Sequence, residues 1–245
     1  MATIETAPQL DRIPESGRES FGDFAGVLHR LAGDNLLSLS AFGGWLSGDP
    51  FFAGAPARSV AVFQRVELDL LDRLASAGTR LGQARLAAPL TMTPEHIRAS
   101  MDVFPLEFLE IQRLHVCVLG EDYFSELALT PADVRLQCER ELKGVLVQLR
   151  QGLLAAAGER SVLIEIARGA LGTLNRVLLG LAWLRDPTSQ VIALHDLVSG
   201  AERSCGVSVA GIRAVLDGAP GLTFDLFSRF YADFDVLANR VDQQA

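Results

Sequence analysis

From Glu19 to Ala32 the apolar residues Phe21, Phe24, Val27, Leu28 and Leu31 recur at the spacing of an amphipathic helix. Gly33 and Asp34 end it, and Leu36 to Phe42 reads as a short, mostly apolar strand. A Gly43-Gly44 turn and a loop rich in Gly and Pro lead to a second apolar strand at Ser59 to Phe63. Val66, Leu70, Leu71 and Leu74 predict a helix from Val66 to about Leu81. Leu86 to Thr91 is expected as a strand. Thr93 and Pro94 then start a short helix ending near Met101, with Thr as cap and Pro at the first helical position. Val103 to Ile111 and Val116 to Leu119 are expected as further strands, the latter closed by Gly120-Glu121-Asp122.

The texture changes at Thr130-Pro131. Beyond it no strand pattern recurs. Val134, Cys138, Leu142, Val145, Leu149 and Leu153 mark one side of a helix from Pro131 to Ala157. Further helices are predicted over 159–185, 189–204, 208–216 and 223–241, broken by Asp186-Pro187, Gly206 and Gly218-Ala219-Pro220-Gly221. The expectation is an α+β protein: a tail over 1–18, a small mixed-sheet α/β domain over 19–129, and an antiparallel helical bundle over 130–245.

Composition narrows the function classes. The 245 residues carry a net charge of −8 and 49% hydrophobic residues, so the chain folds and offers no general nucleic-acid surface. Lys143 is the sole lysine. Cys117, Cys138 and Cys205 lie far apart with no CxxC or Cys/His cluster, which predicts no zinc site and suits free thiols in a reducing cytoplasm. The polar N-terminal stretch lacks the apolar run of a signal peptide. The most apolar segment, 161–184, holds Glu165, Arg168 and Arg176, so it reads as a core helix and no membrane span. His29, His96, His115 and His195 are scattered and expected at the surface or at helix caps. Phe224, Phe227, Phe230, Tyr231 and Phe234 read as bundle core, and Phe51-Phe52 as an exposed apolar contact in a long loop.

Certain stretches resemble the bacterial nucleotidyltransferases of polymerase-β type that carry a C-terminal helical domain. They are Asp102 to Ile111, Gly120-Glu121-Asp122, Leu136 to Gly144 and Leu149 to Gly152, with Gly43-Gly44-Trp45-Leu46-Ser47-Gly48-Asp49 upstream. The resemblance implies a Gly-Ser turn near triphosphate and an Asp-x-Asp pair holding metal on the next strand. Alternate strand residues share a face, which is why that spacing holds two ligands. Here Gly44 stands in place of the serine, and Val60 and Val62 stand in place of the carboxylates. Valine cannot coordinate a hard cation, which needs oxygen. Glu67 and Asp69 have the right spacing but open a helical stretch. Glu107 and Glu110 compete for the third carboxylate, with Glu107 preferred as a relic. Gly43, Gly44, Ser59, Arg140 and Lys143 are the expected ligand-binding residues.

The resemblance therefore implies a degenerate nucleotidyltransferase that binds a partner protein or small ligand, without catalytic residues, metal or cofactor. It is further expected as an oligomer or a subunit of a larger assembly. The alternative is an active enzyme using Mg2+, a nucleoside triphosphate and the displaced carboxylates Asp49, Glu67, Asp69 and Glu107, modifying a small molecule or protein.

Overall fold

The computed structural model describes residues 9–76, 78–190, 192–218 and 222–243. Residues 1–8 of the expected tail, Ala77 within the expected 66–81 helix, and most of the break at 218–221 lie outside them. The fold is α+β, with a four-stranded mixed sheet and a set of helices after it. Compactness divides the chain into two units, one of 1–101 with 110–128, the other of 102–109 with 129–245.

In the first unit, α1 (Glu15–Ala32) precedes β1 (Leu36–Phe42) and β2 (Arg58–Phe63). The helix starts earlier than expected, so residues 15–18 are helical and not tail; Pro14 sits at its N-cap position. The single helix expected over 66–81 is two, α2 (Leu68–Ala75) and α3 (Gly78–Gln83). Gly78 weakens continuity there, because glycine has the largest backbone entropy to lose. The expected strand at 86–91 shrinks to β3 (Leu90–Met92), with an isolated bridge from Leu86 to Ala57. Thr93 caps α4 (Pro94–Ala99), its hydroxyl accepting the His96 N–H at 3.1 Å.

The largest correction concerns Val103 to Ile111. It forms α5 (Pro105–Arg113), not a strand. A short apolar run fits a buried strand or a buried helix equally well. Pro105 decides, because its fixed φ suits the first helical turn, and Phe108 N–H then donates to Phe104 C=O at 3.1 Å. β4 (His115–Gly120) follows as expected.

The sheet order is β3-β2-β1-β4. β1 runs antiparallel to β2 and β4, and β3 runs parallel to β2. One face carries Leu39, Ala41, Ala61, Phe63, Val116 and Val118, packed with Phe21, Phe24 and Leu28 of α1. By alternation the other face carries Ser38, Ser40, Phe42, Arg58, Val60 and Val62.

The second unit holds α6 (Pro131–Ala156), α7 (Arg160–Arg185), α8 (Leu194–Cys205), α9 (Ala210–Leu216) and α10 (Phe224–Gln243). α6 and α7 pack antiparallel: a Cβ on Gly152 would meet Ile166, and the Cys138 thiol reaches the Val177 carbonyl at 3.7 Å. Phe227, Phe230 and Phe234 are buried, as bundle core requires, whereas Phe224 is exposed. Among the described residues no helix is long and apolar enough to cross a membrane.

Backbones of α9 and α10 touch at Gly211, where a Cβ would lie 2.5 Å from Phe230 N. Neither backbone can yield without moving its helix. Gly211→Ala is expected to cost about 3 kcal/mol, the upper range for overpacking, read as a lowered urea midpoint at unchanged slope.

Candidate functional site

The sheet face bearing Val60 and Val62 is where the sequence resemblance places metal. Both valines are fully buried, at 0% exposure. They pair across to Ser40 and Ser38 on β1 and to Leu90 and Met92 on β3. Ser59 points to the opposite face and is also buried. Apolar side chains fill the strand positions where oxygen ligands would stand.

The one strand residue on this face with charge is Arg58. Its Nη1 donates to Glu110 Oε1 at 2.9 Å and Oε2 at 3.1 Å. Glu110 is buried, while the arginine side chain is 39% exposed. The guanidinium also lies 4.3 Å from the Phe42 ring centroid, a cation–π contact that orients it. The backbone behind is fastened by the Trp45 indole N–H, which donates to Phe42 C=O at 2.9 Å. Gly43 closes the arrangement. Its φ of +96° suits glycine, and a Cβ there would sit 3.2 Å from Arg58 Nη1 and 3.4 Å from Glu110 Oε1.

The turn itself is occupied. Gly43 N–H donates to Leu114 C=O at 2.8 Å. A Cβ on Gly44 would meet the Phe52 ring at 2.5 Å. Phe52 comes from the long loop after the turn and stacks edge-on against Phe51 at 4.9 Å. Both rings are half-buried, so the exposed apolar contact expected of Phe51-Phe52 is corrected: Phe52 folds back onto Gly44. A serine at 44 would require that ring to move.

The other sequence candidates are dispersed. Asp49 is buried and caps a short turn at Pro50–Phe52, accepting the Phe51 N–H at 2.8 Å. Glu67 pairs with Arg65 at 3.4 Å at the surface, and Asp69 is exposed in the first turn of α2. Glu107 accepts a hydrogen bond from Gln137 Nε2 at 2.8 Å, and Gln137 Oε1 accepts the Leu106 N–H at 2.7 Å. On the helix, Glu107 and Glu110 do not alternate across a strand as expected. Arg140 is exposed on α6. Lys143 binds Glu139 at 2.6 Å and Asp242 at 3.3 Å, contacts that raise its pKa. No group of three His, Cys, Asp or Glu side chains suited to a metal occurs among the described residues.

A second polar cluster went unrecognised in the sequence. His115, expected at the surface or at a cap, has a side chain only 8% exposed, and its Nε2 lies 3.0 Å from each Asp122 carboxylate oxygen. Asp122 also accepts the Phe124 N–H at 2.9 Å and the Ser125 hydroxyl. The pair borders an open cleft of about 580 Å3 with Arg12, Gln112 and Cys117. Burial raises the Cys117 pKa, so the thiol stays protonated and is a poor nucleophile. The signal available beforehand was the Gly120-Glu121-Asp122 turn returning beside the start of its own strand.

Burial alone would raise the Asp122 pKa, but the Ser125, Phe124 and His115 hydrogen bonds outweigh it and hold it at about 2. A depressed carboxylate pKa stabilises the fold above the unfolded value of 3.8, and this contribution disappears as pH falls through about 2. Asp122→Asn should therefore be less stable than the parent at pH 5, with the gap closing towards pH 2. Thermal midpoints across that range check it.

No family model, curated protein or solved structure matches this chain.

Proposed function

We propose that this chain is a nucleotidyltransferase-like protein that has lost nucleotidyl transfer and acts by binding. The observation carrying this reading is the complete burial of Val60 and Val62 where the sequence resemblance places the metal ligands. Two-metal transfer needs cations to align the attacking hydroxyl and neutralise the leaving pyrophosphate, and valines supply no ligand. The buried carboxylate Glu110 is engaged by Arg58. The arginine supplies internally the positive charge a metal would bring. Phe52 over Gly44 fills the approach that a triphosphate would use. The mixed sheet, the glycine turn and the following helical unit support the ancestry.

What remains is a scaffold presenting a partner protein or a small ligand with surfaces unconnected to phosphoryl chemistry. The same properties suit a subunit of a larger assembly.

Calorimetry with magnesium and each nucleoside triphosphate tests the reading. The expected result is no magnesium-dependent heat and no pyrophosphate release on long incubation. A magnesium-dependent thermal shift accompanied by pyrophosphate would overturn it and restore the enzyme.

A further inference from the structure

The helical unit contains a cleft of about 590 Å3 that the sheet face does not involve. It lies among α6, α7, α8 and α10. Leu178, Leu181 and Leu197 give it an apolar lining, and Arg135, Arg185 and Arg203 bring cationic groups to it. This volume falls in the range of small-molecule pockets, which combine apolar walls with a few convergent polar groups.

The arginines are the informative part. Arg185 and Arg203 are exposed, and the Arg203 charge helps to lower the pKa of neighbouring Glu202. Arg135 Nη1 is buried and makes no hydrogen bond; its closest carboxylate oxygen, Glu139 Oε2, is 3.8 Å away. A buried guanidinium N–H without an acceptor is unfavourable, and an anionic oxygen relieves it best. Two carboxylates also border the cleft. Asp186 already accepts the Thr188 N–H at 2.9 Å and the Thr188 hydroxyl at 2.6 Å. Asp196 sits in the first turn of α8, where the helix dipole favours negative charge. Arg135 Nη1 is left as the buried donor without an acceptor at the cleft.

We propose that this cleft binds a single-headed anionic amphiphile. Its carboxylate or phosphate head meets Arg135, Arg185 and Arg203, and its alkyl chain of about ten carbons lies on the leucines. A free polyanion does not fit this description, because the leucine lining rewards only an apolar tail.

Gly200 supplies a clean test. It lines the cleft on α8, and a Cβ built on it meets nothing within 4 Å. Gly200→Leu therefore adds an apolar side chain to the cleft lining from a position whose Cβ meets no atom within 4 Å, and removes a helix-weakening glycine.

The experiment is calorimetry of the full chain with decanoate and with decyl phosphate below their micelle concentrations, against decanol and inorganic phosphate. The expected result is saturable one-to-one binding of at least one anionic amphiphile. Decanol and inorganic phosphate should bind at least tenfold more weakly. Preference between the two heads identifies an acyl carboxylate or a phosphorylated lipid as the source. Arg185→Ala with Arg203→Ala should weaken binding at least tenfold, and Gly200→Leu should abolish it at an undiminished thermal midpoint. Equal binding of decanol, indifference to the arginine pair, or no saturable binding would overturn the proposal. Because no nucleotide or metal enters this assay, its failure is separable from failure of the nucleotide test.

Discussion

Val60→Asp combined with Val62→Asp is expected to leave no cooperatively folded protein at 25 °C. Both positions have 0% exposure, and the buried Glu110 carboxylate is already engaged by Arg58. Each substitution places an unpaired carboxylate in a dry interior, at a cost of several kcal/mol. A domain has only about 5–15 kcal/mol in total. The single variant Val62→Asp is expected to lose about 4 kcal/mol and remain measurable. Circular dichroism during urea titration reads both. A double variant that folds and binds magnesium would show the cleft to be open, and would overturn the assignment of these valines to the core.

Removal of Arg58 is the second large effect. Arg58→Ala leaves Glu110 buried without its donor and is expected to cost about 3 kcal/mol, the low end for breaking a buried pair because the arginine is two-fifths open to solvent. Part of that cost is the lost contact with Phe42. Glu110→Gln keeps the shape and an acceptor oxygen, so it should cost less. Arg58→Met with Glu110→Leu removes both charges and is expected to recover most of the loss, since apolar replacement of a buried pair is often neutral. The double-mutant cycle then yields the coupling directly. A coupling near zero would mean that the pair contributes nothing to stability, because solvent screens it through the arginine's exposed side.

Five elements show how far the fold is legible in the sequence. β1 and β2 are readable because two short, mostly apolar runs flank the glycine turn and loop, which leaves few alternatives. α4 and α6 were readable because Thr93 and Thr130, each followed by proline, announce a helix start locally. α5 is not, since Val103 to Ile111 is a short run, mostly apolar but interrupted by Glu107 and Glu110, whose periodicity cannot separate strand from helix. Because the strand reading puts Glu107 and Glu110 on opposite faces, local spacing gives no sign of the pair that Glu110 makes with Arg58. Those partners are 52 residues apart. His115 and Asp122 were overlooked differently: each is unremarkable alone, and they meet because a strand ends in a turn that folds back.

The local code thus determined that the second unit is helical, the Thr130 cap of α6, the two central strands, and the absence of oxygen ligands at 60 and 62; the helix expected from 189 begins only at Leu194. These depend on neighbours within one or two turns, whose preferences survive in any context. Only the tertiary structure decided that Val60 and Val62 are sealed core, that Arg58 neutralises Glu110, that Phe52 closes over Gly44, and that three arginines gather at one apolar cleft. Each is a meeting of side chains distant in the chain. Such meetings are chosen by burial and charge balance over the whole fold, which no local spacing records.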